Sequence, residues 1–219
     1  MDDDIELLPD SLKALEKTLH DHPRAAVVGT LLAPDDSTAI QPDEAAPFTD
    51  CLTGLLCIWA SDFRLVGGFE DPTGGWPNWD DVDFGYRAHQ AGLALWRSGR
   101  GRGIHHDATA GSTASTAERY YRASHAAARL FRRHPGLERH LPMFDDKGPV
   151  DWRHDGPGLA ARKLVRQIAS ARPGLKLLER LERGLSGVAP AAGVTPILRR
   201  WIVGGYIYRG YRQGLKELE

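Results

Sequence analysis

The chain has 219 residues, of which 42% are hydrophobic and 26% charged, and this composition excludes a disordered or collagen-like protein. No run of 18 apolar residues occurs and the start is acidic, so we expect neither a transmembrane helix nor a signal peptide, and hence a cytoplasmic protein. The net charge of −1 is uneven, because residues 151–219 carry 13 Lys and Arg against 6 Asp and Glu. The acidic residues 1–150 suit the binding of a metal ion, and the basic residues 151–219 suit the binding of phosphates or an anionic membrane. No nucleic-acid partner is expected.

Apolar patterns in the first sixty residues predict the start of an α/β domain. Leucines with a 4-3-4 spacing predict a helix that begins at Asp10 or Ser11. Two apolar runs predict strands over 25–33 and 52–60, and a polar loop over 34–48 separates them. Cys51 and Cys57 are six residues apart in an apolar stretch that reads as a strand, and the rise of a strand would put their Cα atoms about 20 Å apart, so no disulfide is expected.

The remaining segments predict one more strand and several helices. A helix is predicted over 81–91, because Gly92 is a natural residue to end it. A short strand over 93–96 follows, and the Gly-, Ser- and Arg-rich residues 97–114 are predicted to form a loop. A capping box at Ser115 opens a helix that ends at residue 134. Three further helices are predicted over 159–171, 174–187 and 196–218.

The acidic triplet at the start is the first candidate for chemistry. Asp2 and Asp4, with Asp3 between them, can clamp one divalent ion, and Mg²⁺ and Mn²⁺ prefer such oxygen ligands. A frayed acidic terminus is the simpler explanation. His105 and His106, adjacent in the predicted loop, could supply one further metal ligand, although histidines in a loop usually need no function.

A second candidate surrounds the start of the helix over 81–91. Asp80 precedes its first turn and Asp81 and Asp83 lie within it, and carboxylates at these places are ordinary caps stabilised by the helix dipole. Asp83 and Arg87 are four residues apart and can form an ion pair. Glycine-rich turns and two tryptophans surround this turn, which indicates a loop built to approach a ligand.

The ordered set of these motifs resembles the C-terminal half of a glycosyltransferase family 2 enzyme with the GT-A fold. The set comprises the acidic triplet, the segment FRLVGGFE over 63–70, the sequence DDVD over 80–83 followed by Arg87, and His105-His106. The resemblance covers about residues 1–135. It implies an α/β, Rossmann-like partial GT-A domain over that range and a helical C-terminal extension over 136–219.

The resemblance also implies roles for single residues. Asp81 would be the catalytic base, with Asp80 beside it where the family more often has glutamate, and Arg87 would act from the same helix. The implied ligands of a Mn²⁺ or Mg²⁺ cofactor are Asp2, Asp4 and one of His105 and His106. The implied contacts to the nucleotide-sugar donor come from Asp3, Gly67, Gly68 and Trp79. Trp76 and Trp79 could pack on a sugar face, and they could equally be core residues.

The implied reaction is inverting transfer of a sugar from a nucleotide diphosphate to an acceptor hydroxyl. The acceptor would be a polysaccharide, a cell-envelope glycan or a lipid-linked glycan. The nucleotide-binding half that precedes the acidic triplet in the family has no counterpart here, so we expect a truncated or complemented chain with little turnover alone. Two alternatives are an inactive remnant or partner module of such an enzyme, and a metal-dependent hydrolase.

The last predicted helix carries a different pattern. Trp201, Tyr208 and Leu215 repeat every seven residues and arginines interleave with them. The simpler explanation is a helix packed on the catalytic domain. The alternative is an interfacial helix that makes a peripheral contact with anionic lipid at the inner face of the cell membrane, near a lipid-linked acceptor. Gly204 and Gly205 are predicted to weaken or bend this helix.

Overall fold

The structure is a computed structural model that describes residues 4–34, 36, 39–73, 79–106, 112–186 and 193–219. It has a mixed α/β fold, in which a curled half-barrel sheet of five strands is followed by a helical C-terminal region. The chain forms two compact units, one of residues 1–71 and 80–110 and the other of residues 72–79 and 111–219. The predicted α/β class with a helical C-terminal region is confirmed, while the GT-A identity and the domain boundary at 135 stay predictions.

The sheet of the first unit is mixed in strand direction. Its strands are β1 (Ile5–Leu7), β2 (Ala25–Leu32), β3 (Glu44–Ala46), β4 (Leu56–Ile58) and β5 (Ala94–His105). The order across the sheet is β1-β5-β2-β4, and β3 also pairs with β5. Strands β2 and β5 run parallel, whereas the β1–β5, β3–β5 and β2–β4 pairs are antiparallel. Strand β5 therefore holds the sheet together.

Three helices belong to this unit, namely α1 (Ser11–Asp21), α2 (Ala60–Val66) and α3 (Asp80–Gln90). Strand β2 is apolar apart from Thr30, because both of its faces are covered. On one face, Leu15 and Leu19 of α1 cluster with Val27. On the other, Phe84 of α3 clusters with Val28. Of the leucines that predicted α1, Leu12 is an exception and is 64% exposed.

The predicted loop over 97–114 is wrong for residues 97–105, which form most of β5. The glycines of this segment led to the wrong prediction, since glycine is disfavoured in strands. In β5 these glycines let neighbouring parts of the chain approach the strand closely. A Cβ at Gly99 would lie 1.8 Å from the carbonyl oxygen of Gln41, and one at Gly103 would lie 2.7 Å from Ile5. The predicted loop over 34–48 also contains β3, which was missed.

The predicted strand over 52–60 is only partly a strand. Residues 53–55 form a 3₁₀ turn, β4 covers three residues, and α2 begins at Ala60. Cys51 therefore precedes the strand instead of belonging to it. Both cysteine thiols are free, as predicted.

The second unit is helical. Its helices are α4 (Thr113–Arg133), α5 (Pro157–Ala169), α6 (Arg172–Ser186) and α7 (Val194–Lys216), with 3₁₀ turns at Leu137–His140 and Pro142–Phe144. The predicted helices match these four within a few residues. The cap of α4 differs, because the Ser115 amide donates to the hydroxyl of Ser112 across 3.2 Å, so Ser112 is the capping residue.

Helix α7 packs directly on α4. A Cβ at Gly210 would lie 2.1 Å from the carbonyl oxygen of Tyr121, and one at Gly214 would lie 2.3 Å from that of His125. These glycines let the two backbones meet. Gly204 and Gly205 lie inside the 23-residue helix, against Arg166 and Leu175, so they do not interrupt it. Among the helices in the described ranges, none combines the length and apolarity needed to span a bilayer.

Candidate functional site

The acidic start and the paired histidines meet at one end of the sheet. Strand β1 pairs antiparallel with the end of β5, so that Ile5 lies opposite His105. The Nε2 atom of His105 lies 3.1 Å from Oδ2 of Asp4, a residue 101 positions away in the chain. The Nε2 atom of His106 lies 3.0 Å from Oε2 of Glu6, which sequence reasoning did not single out. The predicted ligand Asp4 thus lies beside His105, and His106 faces another carboxylate.

The Asp4–His105 pair fits two ligands of a divalent ion. A carboxylate oxygen is a ligand that Mn²⁺ and Mg²⁺ prefer, and an imidazole nitrogen suits divalent transition-metal ions. The 3.1 Å between these atoms is a hydrogen-bond distance, and it is also close to the roughly 3 Å that separates two adjacent ligands of an octahedral ion. Within the described ranges, no group of three or more His, Cys, Asp or Glu side chains converges. Asp2 and Asp3 lie outside the described residues.

Asp81 lies in a partly buried position in the first turn of α3. Its Oδ1 accepts a hydrogen bond from the Val82 amide across 2.7 Å. Burial raises the pKa of Asp81 to about 6, and the charge of Asp80 acts in the same direction, while the Val82 hydrogen bond opposes them. A carboxylate with such a pKa is ionised at neutral pH and still accepts a proton readily. Asp80 itself is exposed.

Helix α3 runs back along the first part of β5. Helix α3 leads through a tight turn at Gly92 into β5, so the chain reverses there. The charge of Asp81 acts on Cys51, which precedes β4, and β4 begins opposite Val28, in the middle of β2. Val28 in turn pairs with Arg97 of β5, so Asp81 is nearer the middle of the sheet than the end that carries His105. The ends of parallel strands are the common place for sites in α/β sheets.

Arg87 is fully engaged with its own unit. Its Nε donates to Oδ2 of the buried Asp83 across 2.7 Å. Its Nη1 and Nη2 donate to the carbonyl oxygens of Val66 and Gly68 across 2.7 and 2.8 Å. Arg87 thus fixes the end of α2, which is a structural task. A direct catalytic role for Arg87 stays a prediction, and this geometry does not favour it.

Gly67 and Gly68 end α2. Both have positive φ angles, of 92° and 70°, which glycine adopts without strain. The Gly68 amide donates to the Phe63 carbonyl across 3.0 Å and the Gly67 amide to that of Arg64 across 3.1 Å, which is a Schellman motif. The geometry of the helix end therefore explains both glycines by itself. Their contact with the nucleotide-sugar stays a prediction.

Trp79 lies in the interior of the second unit. Its side chain is 6% exposed, and its Nε1 donates to the carbonyl oxygen of Ala123 across 2.6 Å. Phe131 and Phe144 pack around its ring. These contacts agree with the interpretation of Trp79 as a core residue, because protein covers the faces of the indole ring that would pack on a sugar. Trp76 lies outside the described residues.

Sequence reasoning missed a polar cluster where α1 meets β5. Asp43 accepts hydrogen bonds from the Thr18 hydroxyl across 2.6 Å and from the Gly99 amide across 2.9 Å. The Thr18 hydroxyl also lies 2.9 Å from that of Ser98. The cluster borders a cavity of about 400 Å³. No sequence pattern links these residues, since they come from three separate segments.

Comparisons with protein-family models, curated proteins and solved structures find no match to this chain.

Proposed function

We propose that this chain belongs to a metal-dependent glycosyltransferase, which moves a sugar from a nucleotide diphosphate to an acceptor hydroxyl. The observation that carries this proposal is the contact between Asp4 and His105, two residues that the family resemblance assigns to one ion. Their donor atoms are 3.1 Å apart although the residues are separated by 101 positions. The acceptor is a glycan or a lipid-linked glycan.

Each candidate residue has a distinct task in this proposal. Asp81 takes the proton from the acceptor hydroxyl, and its pKa of about 6 suits a base that works near neutral pH. Asp4 and His105 hold Mn²⁺ or Mg²⁺. Such an ion stabilises the negative charge that develops on the leaving diphosphate. Arg87 acts through the loop at the end of α2, whose carbonyl groups it binds.

Calorimetric titration of the full chain with Mn²⁺ tests the metal site. Replacing Asp4 or His105 by Ala should weaken Mn²⁺ binding by about tenfold or more, because each removes one ligand. Asp10→Ala is the matched control, because Asp10 is an exposed carboxylate of the same unit that pairs only with the neighbouring Lys13 among the described contacts. Equal Mn²⁺ affinity in the Asp4→Ala, His105→Ala and Asp10→Ala proteins would refute the metal assignment.

A transfer assay with a panel of nucleotide-sugars tests the reaction itself, and it is run on a protein to which the nucleotide-binding half implied by the family resemblance has been restored. Release of nucleoside diphosphate, dependent on Mn²⁺ and lost in Asp81→Asn, is the expected result. Asp62→Asn is the control, since Asp62 stands in the first turn of another helix of the same unit. Phosphate release from simple phosphoesters without sugar transfer would instead favour a hydrolase.

A further inference from the structure

The second unit contains a strongly basic cavity of about 710 Å³ that is open to solvent. Helices α4, α5 and α7 and the turn at 142–147 form its walls. Five cationic side chains line it, namely Lys147, Arg162, Arg166, Arg199 and Arg200. Only two acidic side chains, Asp145 and Asp146, line it with them. The cavity therefore has an excess of positive charge.

Two of the cations are buried and share the carboxylate of Asp146. Lys147 and Arg166 are 7% and 9% exposed. Lys147 forms an ion pair with Asp146, and the Nε and Nη2 atoms of Arg166 each donate to Oδ2 of that same residue across 3.2 Å. The charge of Asp145 also acts on Lys147, and the Arg166 guanidinium lies 4.4 Å from the centroid of the Trp201 ring. Over the whole cavity, however, five cationic side chains face only two carboxylates. Buried cations without full compensation are costly, and an anion in the cavity would stabilise them.

The remaining arginines face the cavity from α5 and α7. Arg199 forms an ion pair with Glu182 across 2.9 Å. Arg162 and Arg200 are exposed and have no hydrogen bond or ion pair with any residue in the described part of the chain. Guanidinium groups bind phosphate oxygens through two parallel hydrogen bonds, so arginines at a cavity favour phosphate over a single-point anion.

Apolar side chains complete the lining. Pro142, Met143, Val203 and Ile207 lie in the wall, and Thr116 and Tyr120 add hydroxyl groups from α4. We propose that this cavity binds a phosphate or diphosphate group carried by a ligand with an apolar portion. The inference is independent of the proposed function, because Asp4, Asp81 and His105 belong to the first unit and this cavity to the second.

Calorimetry with inorganic pyrophosphate and sedimentation with vesicles test this site on the full chain. The vesicles contain phosphatidylcholine with or without phosphatidic acid, whose head group is a phosphate monoester. The test protein carries Arg162→Ala and Arg200→Ala together. The expected result is binding that weakens by about tenfold or more in this double variant, because two charge-assisted contacts are lost. Arg180→Ala removes an exposed arginine of the same unit that does not line the cavity, and should leave binding unchanged.

The two arms distinguish the source of the phosphate group. If pyrophosphate binds and the double variant weakens this binding, the ligand of the cavity is a soluble phosphorylated compound. Binding to phosphatidic acid vesicles alone, weakened by the double variant but not by Arg180→Ala, assigns a lipid head group. An unchanged melting temperature of the double variant shows that its fold is intact. The proposal is overturned if neither probe binds, or if the double variant binds as tightly as the unmodified chain.

Discussion

Arg87 and Asp83 form a buried ion pair one helical turn apart, with 2.7 Å between Nε and Oδ2. Asp83 is fully buried, and Arg87 continues from this pair to two carbonyl groups at the end of α2. The pair therefore joins α3 to the loop that follows α2. The sequence spacing predicted the ion pair, and the structure confirms it. The spacing did not reveal that Arg87 also holds the loop after α2, through hydrogen bonds to its carbonyl groups.

Replacing Asp83 by Ala should destabilise the protein by about 3–5 kcal/mol, because it leaves a mostly buried guanidinium without its counter-ion. Urea unfolding followed by circular dichroism measures this change. Asp80→Asn, in the same helical turn but exposed, should change the free energy of unfolding by less than about 0.5 kcal/mol. Similar effects of the two substitutions would show that the buried pair contributes little.

Asp81→Asn should stabilise the protein at neutral pH. The folded-state pKa of about 6 exceeds the ordinary value of 3.8, so the folded protein binds the proton more tightly than the unfolded chain does. Stability therefore falls as pH rises from 3.8 to about 6, and the full cost of the ionised carboxylate is present above that range. Partial exposure and the lost charge at the helix start reduce the gain to about 1–2 kcal/mol.

Urea unfolding of the Asp81→Asn protein at two pH values checks this prediction. The gain should be present near pH 7.5 and absent near pH 3.5, since Asp81 is protonated at the lower value in both states. Asp80→Asn serves as the control for removal of a charge at the same helix start. A gain that is the same at both pH values would contradict the assigned pKa.

Gly210→Ala should destabilise the second unit by about 1–3 kcal/mol, because α7 must move away from α4 to admit the methyl group. The added Cβ would lie 2.1 Å from the carbonyl oxygen of Tyr121. Gly184→Ala, within α6 and without any atom within 4 Å of the added Cβ, should instead stabilise by about 0.5–1 kcal/mol. Thermal unfolding distinguishes the two, and equal shifts would mean that the helices do not meet at Gly210.

Cys51 should resist alkylation in the folded protein. Its side chain is 1% exposed, and burial raises its pKa to about 12, so at pH 8 only about one thiol in ten thousand is ionised. Burial also raises the pKa of the half-buried Cys57. Peptide mass spectrometry after iodoacetamide treatment should find Cys57 labelled first and Cys51 labelled only in urea. Native labelling of Cys51 at the rate of Cys57 would contradict this burial.

Local patterns predicted most of the helices of this protein. Helix α3 was recognisable from the acids in its first turn and from Gly92, which ends it with a φ of 79°. Helix boundaries depend on such nearby residues, so they can be predicted from a short stretch of sequence. Strand β2 was recognisable for a similar reason, because burial on both faces makes it a continuous apolar run.

Long-range packing explains what was missed. Residues 97–105 lack the composition of a strand, and they form one because β2, β1 and β3 all pair with them. Their glycines were interpreted as signs of a loop. In the structure, other groups pack so closely against Gly99 and Gly103 that a larger side chain at either position would clash with them. Such contacts join residues that are far apart in the chain, and no local pattern records them.

The candidate site also depends partly on local sequence and partly on long-range packing. The sequence by itself determined which residue types were available, namely carboxylates at 4 and 81 and histidines at 105 and 106. The tertiary structure decided which of them meet, because only the pairing of β1 with β5 brings Asp4 to His105. It also decided that Trp79 is buried, that Arg87 holds a loop, and that arginines from α5 and α7 share one cavity. The physical reason is that side-chain chemistry is local, whereas proximity and burial depend on how distant segments pack.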